Sequence, residues 1–319
     1  MESERLDYWS EWQVPVCALV LIIPTITAVV LIWKSKKTPL SVYDSWVSCW
    51  KFLNPIWILV YRALVVGIMT FLLCKTVIND GPSDFYFYTQ WTFTLVLIYF
   101  VLATFVSAHG CWTCFKTTTS RNELGNGFLK RDLEGNESNL SSTESNKFWD
   151  LSKSQKIHHE RKEMEKTAGF GGYLLQIIYQ TSAGAAVLTD IVFWCLLVPF
   201  PASDNFKVDL ITGCMHSLNL VFLLLDTTLN SRPFPYWFGL VYFVIWSCVY
   251  IVFQWVLHAC GVLTWWPYAF LKLSTPWAPL WYLGMALVHI PCYSFYALVV
   301  KAKNSAFTKI FPNAFVGPL

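Results

Sequence analysis

Apolar residues fall into seven runs, interrupted by shorter polar stretches: Val14–Trp33, Pro55–Leu73, Tyr88–Ser107, Gly172–Val198, Ile211–Leu229, Trp237–Leu257 and Pro279–Val300. Each is near the length of about 20 residues that a helix needs to cross hydrocarbon. The pattern predicts an all-α polytopic membrane bundle of seven transmembrane helices. Trp9, Trp12, Trp33, Trp237 and Trp277 lie at the run ends, where aromatic rings favour the headgroup level.

Composition agrees with this division. Of 319 residues, 55% are hydrophobic, 18% aromatic and 13% charged, against roughly 25% charged in a soluble domain. So little charge cannot clothe a water-soluble surface. Whole-chain disorder is excluded, and ten Cys in this length do not make a disulfide scaffold. A net charge of +3 is too balanced for a nucleic-acid binder. The expected surroundings are the bilayer and lipid-like molecules.

Lys and Arg set the orientation. With the N-terminus outside, the inner segments hold Lys34, Lys36, Lys37, Lys51, Arg232, Lys301, Lys303 and Lys309, besides the basic residues of one long loop. The outer segments hold Arg5, Lys75, Lys207 and Lys272. The expected topology places the N-terminus outside or in a lumen and the C-terminus in the cytosol. The acidic start, with Glu2, Glu4, Asp7 and Glu11, is unlike a cleavable signal, which begins positive. The first span is therefore read as retained.

Five segments follow. Residues 1–51 form a tail, an additional span and an inner loop; 52–108 hold two spans; 109–171 form a cytosolic loop; 172–300 hold four spans; 301–319 form a cytosolic tail. The loop centre, GNESNLSSTES over 135–145, is polar and patternless, so it is expected to be disordered. Its sequons at Asn136 and Asn139 then face the cytosol and stay unmodified. Ser154–Lys166 reads as a solvated juxtamembrane helix. His109, Cys111 and Cys114, with His158 and His159, could serve zinc, but their spacing matches no finger; acylation of the juxtamembrane cysteines is the better reading. No cofactor is called for. The all-small stretch Thr181–Ala186 should let helices approach closely.

Ionisable groups within a bilayer are costly and mark function by default. Here they are Arg62, Asp190, His216, Asp226 and His289, with Thr89 and Gln90 near the outer end of the third span. A rise of about 1.5 Å per residue places Arg62 and Asp190 at similar depth, so they are expected to pair and join the second and fourth spans. Asp226 is expected to meet cytosolic water or Arg232. His216 and His289 also fit satisfied core positions, and Thr89 a helix cap. Asn219, one turn beyond His216, lies on the same face and could orient the imidazole or polarise an ester carbonyl.

Three stretches carry a resemblance: FYFYTQWTF at Phe85–Phe93, MHSLNLVFLLLDTTLNSR at Met215–Arg232 and WWPYAFL at Trp265–Leu271. Together they resemble the Rolling stone-like membrane proteins, similar plant transmembrane proteins and, more distantly, the androgen-induced and androgen-dependent membrane hydrolases. The resemblance covers the six spans from Pro55 to Val300; the first span and the long loop are additional. It implies a threonine nucleophile at Thr89 and a histidine base at His216, acting on a lipid ester within the bilayer. Such a pair should face a pocket in the outer half of the bundle, lined by Trp91, Trp265 or Trp266. The alternative is a non-enzymatic membrane organiser presenting its loop to partners. A seven-span receptor is disfavoured, since the third span ends without an acidic–arginine pair and the last lacks an Asn-Pro element.

Overall fold

A computed structural model describes residues 9–35, 46–133, 169–200 and 209–316, with side chains of the third helix described as far as Lys116. The chain is an all-helical bundle. Its helices are α1 (Gln13–Lys34), α2 (Pro55–Asp80), α3 (Tyr88–Leu133), α4 (Phe170–Val192), α5 (Leu210–Leu229), α6 (Tyr236–Ala259) and α7 (Ala278–Ile310). Seven helical stretches are long and apolar enough to cross a membrane, α4 continuing through a π-turn at Phe193–Leu197. The protein is thus of the integral membrane type. The sequons, the predicted Ser154–Lys166 helix, His158 and His159 lie outside the described residues.

Three helices run past their predicted ends. α2 reaches Asp80 rather than Leu73, α3 continues to Leu133, and α7 to Ile310. Apolarity marks only the hydrocarbon-crossing part, whereas backbone hydrogen bonding carries a helix on until a residue stops it. Gly81, at φ +81°, stops α2, a conformation that only glycine adopts freely. Local signals also start the helices. Asn54 Oδ1 accepts from Ile56 N–H at 3.0 Å and Pro55 opens the first turn of α2; Asp209 Oδ1 accepts from Thr212 N–H at 2.8 Å ahead of α5.

α4 is the centre of the bundle. Of its apolar window 61% is buried, against 11% for α1, which lies on the outside against α6 and α7. The Thr181–Ala186 stretch is buried throughout, as its small residues predict. At Gly184 a Cβ would lie 2.6 Å from the Phe243 ring, so α6 presses an aromatic ring against bare α4 backbone. Gly239 plays the reverse part on α6, receiving Gln180 of α4 and Tyr293 of α7.

We call the membrane face at which α1 begins the N-face and the opposite one the far face. On the far face the α1–α2 loop is tied down. Cys49 N–H donates to Leu229 O at 3.0 Å, Val316 N–H to Cys49 O at 2.7 Å, and Trp50 Nε1 to Thr228 O at 2.9 Å. Trp50 then packs among Phe307, Phe311 and Phe315. Lys303 closes the end of α5, donating to Thr227 O and Asn230 O, each at 3.0 Å.

Candidate functional site

The intramembrane polar residues separate into two groups, one toward each face. The far-face group centres on Asp226. Arg62 Nε donates to Asp226 Oδ1 at 2.8 Å and Nη2 to Oδ2 at 3.3 Å, both residues being fully buried. Tyr99 Oη and Asn230 Nδ2 donate to Oδ2 at 2.5 and 2.8 Å, and Arg62 Nη1 donates to Ser107 Oγ at 2.7 Å. Alongside run Tyr179, Thr227 and Tyr296, linked by hydroxyl hydrogen bonds of 2.6 Å.

The expected pairing of Arg62 with Asp190 is therefore corrected. Arg62 pairs with Asp226, and Asp190 Oδ1 is buried without a hydrogen-bond partner. The error came from the end of α2. With the helix running to Asp80, Arg62 lies about 27 Å from the N-face end and only about 10 Å from the far end, level with the close of α5. Asp226 likewise meets neither bulk water nor Arg232 alone; four donor groups enclose it. Arg232, also buried, lies over the Tyr99 ring, so two guanidinium groups flank this one carboxylate.

The N-face group lines a pocket. About 910 Å³ of empty space, counted out to its open mouth, lies among α1, the start of α3, the end of α4, the middle of α6, and the first halves of α5 and α7. Its walls are mostly apolar, with Val20, Leu21 and Pro24 contributed by α1. Thr89, His216 and His289 all line it.

Contacts between the helices explain why these residues meet. Thr189 Oγ1 of α4 donates to Thr92 Oγ1 of α3 at 3.2 Å. One turn nearer the N-face stand Thr89 on α3 and Phe193 on α4. Phe193 stacks on the His216 imidazole, with centroids 3.6 Å apart and an interplanar angle of 8°. Thr89 and His216 thus occupy one level of the bundle.

Thr89 neighbours the Tyr268 phenol in the pocket wall. Tyr268 Oη accepts from Tyr88 N–H at 3.1 Å. Tyr268 belongs to the aromatic-Pro turn before α7. Burial raises its pKa, with the neighbouring Thr89 opposing, so it stays a neutral phenol. The polar rim continues through Tyr88 Oη and Ser247 Oγ, 2.8 Å apart.

Two expectations are corrected here. Asn219 does not orient His216: its Nδ2 donates to Met215 O at 3.0 Å, while Asn219 Oδ1 and His216 Nδ1 are both buried without partners. A helix-face argument places the two side chains on one side but not in register. Trp91, Trp265 and Trp266 do not line the pocket, whose aromatic wall is Tyr88, Tyr250, Tyr268, Phe270 and Tyr282. Trp91 packs behind it on Trp246, Tyr250 and Phe253, Trp265 on Phe87, and Trp266 on His258.

His289 is the residue that sequence reasoning undervalued, since no motif surrounds it. Its Nδ1 sits 2.7 Å from Met285 O, while Nε2 is buried without a partner. A carbonyl can only accept, so Nδ1 carries the proton and Nε2 the lone pair. The signal available was its position two turns beyond Tyr282 on one face of α7.

Among the described residues no group of three or more His, Cys, Asp or Glu is placed to hold a metal ion. Compared with protein-family models, with known proteins and with solved structures, the chain matches none.

Proposed function

We propose that this protein is a membrane-embedded hydrolase of lipid esters, using Thr89 as nucleophile and an imidazole as proton acceptor. The observation that carries the reading is one mostly apolar pocket lined by Thr89, His216 and His289. A threonine hydroxyl is a weak nucleophile and needs an adjacent base; a neutral imidazole suits that task near neutral pH. The Tyr268 phenol beside Thr89 can position the hydroxyl or donate to the ester carbonyl oxygen. The apolar walls suit an acyl chain, entering sideways from the bilayer past α1. The resemblance to Rolling stone-like proteins and the androgen-induced hydrolases points the same way. The basic-residue asymmetry supports an N-terminus outside or in a lumen, which puts the pocket in the outer leaflet.

Purified protein in nanodiscs should hydrolyse a 4-nitrophenyl ester of a medium-chain fatty acid, and Thr89→Ala should lower the rate by roughly 100-fold or more. A Thr89→Ala protein that turns over like wild type removes the reading. A second reading, a non-enzymatic membrane organiser presenting its loop to partners, is favoured by one observation: His216 Nδ1 and His289 Nε2 have no hydrogen-bond partner, so neither is bonded to Thr89.

A further inference from the structure

Ester hydrolysis consumes water, yet the pocket walls are apolar and face the bilayer interior. Inward of His289, behind the pocket wall, lie buried polar groups without partners. Gln180 on α4 is fully buried, and neither of its amide atoms has a hydrogen-bond partner. Tyr293, one turn from His289 along α7, is also fully buried, and its hydroxyl has no partner. The two converge, since a Cβ placed on Gly239 would lie 2.0 Å from Tyr293 Oη and 2.6 Å from Gln180 Oε1. Phe243 ties them to the pocket, with its ring centroid 4.5 Å from that of His289 and 6.5 Å from that of Tyr293. Buried polar groups are nearly always hydrogen-bonded. Buried water typically makes about three such bonds to groups like these.

We propose that Gln180, Tyr293 and His289 form a water site at the pocket floor, and that His289 is the general base that activates this water. The proposal rests on the hydrolase reading. Its chemistry belongs to the second half of the reaction, when the acyl group is esterified to Thr89. The water oxygen attacks the acyl carbonyl carbon as its proton passes to His289 Nε2. The bond between that carbon and Thr89 Oγ then breaks, the proton held on His289 Nε2 passes to Oγ, and a free carboxylic acid leaves. The geometry provides what a base needs: Nδ1 is fixed on Met285 O, the lone pair points from Nε2, and the ring is braced by Phe243 against Gly184. His216 then serves the first half, taking the proton of Thr89 as Oγ attacks and giving it to the ester oxygen that leaves as the alcohol.

The test uses the full chain in nanodiscs with 4-nitrophenyl octanoate. His289→Gln should release one nitrophenolate per protein in a rapid phase and then stall, its steady rate lower by roughly 100-fold or more. Mass spectrometry should find the octanoyl group on the peptide carrying Thr89. Hydroxylamine, a strong nucleophile that needs little base assistance, should restore turnover. Gln180→Leu should slow the same step, with the burst retained. Continued wild-type turnover by His289→Gln overturns the water site and leaves the hydrolase standing, as does loss of the burst together with turnover. Absence of hydrolysis by the wild-type protein, or unchanged turnover by Thr89→Ala, overturns both.

Discussion

Arg62 and Asp226, 164 residues apart in sequence, meet in a fully buried two-point ion pair that joins α2 to α5. Tyr99 and Ser107 add α3 to the same junction. Removing one partner leaves an uncompensated charge, which is worse than having neither. Arg62→Leu or Asp226→Leu alone should cost about 3–5 kcal/mol, read as loss of monodisperse protein and a lower melting temperature in detergent. The double Leu variant should recover much of that loss. Equal damage from single and double variants would show that the pair is not what holds the junction.

Gly184 governs the pocket without touching it. A methyl group there falls 2.6 Å from the Phe243 ring, and Phe243 braces His289. Gly184→Ala should destabilise by about 1–3 kcal/mol through overpacking. Its ester hydrolysis should fall further than its stability. Gly67→Ala, inside α2 with nothing within 4 Å of the new methyl, is the control and should lower neither, since alanine favours a helix over glycine.

Asp209 offers a pH signature at the N-face. Its side-chain hydrogen bond with Thr212, followed by the backbone donor there, holds its carboxyl below the ordinary range. A lowered folded pKa means the cap stabilises most above the ordinary carboxylate value and is lost as pH falls through the folded value. Because Asp209 is almost fully exposed to solvent, the contribution is screened; Asp209→Ala should cost at most about 1 kcal/mol. The loss should be visible in melting curves at pH 7 and vanish near pH 2.

The sequons at Asn136 and Asn139 should carry no glycan, because the basic-residue asymmetry assigns their loop to the cytosol. Glycosidase treatment of protein from eukaryotic cells should leave its mobility unchanged. A shift abolished by Asn136→Gln with Asn139→Gln would invert the topology and move the pocket to the other leaflet.

The seven apolar runs determined by themselves that the chain is a helical bundle of membrane-crossing length. Burial in hydrocarbon leaves a backbone few alternatives to helix, so local composition was enough. The Thr181–Ala186 stretch likewise foretold a close helix contact, because side-chain size acts locally. Asn54 and Asp209 cap their helices through equally local hydrogen bonds. Pairing was decided elsewhere. Whether Arg62 met Asp190 or Asp226 depended on where α2 stopped, and seven more residues shifted the guanidinium by about 10 Å along the bundle. Asn219 and the three tryptophans failed as site residues because helix rotation and packing, not periodicity, choose which side chain points inward. His289 had no motif to announce it. Only the tertiary structure put its imidazole in one cavity with Thr89 and His216, through a ring on α6 resting against a glycine on α4.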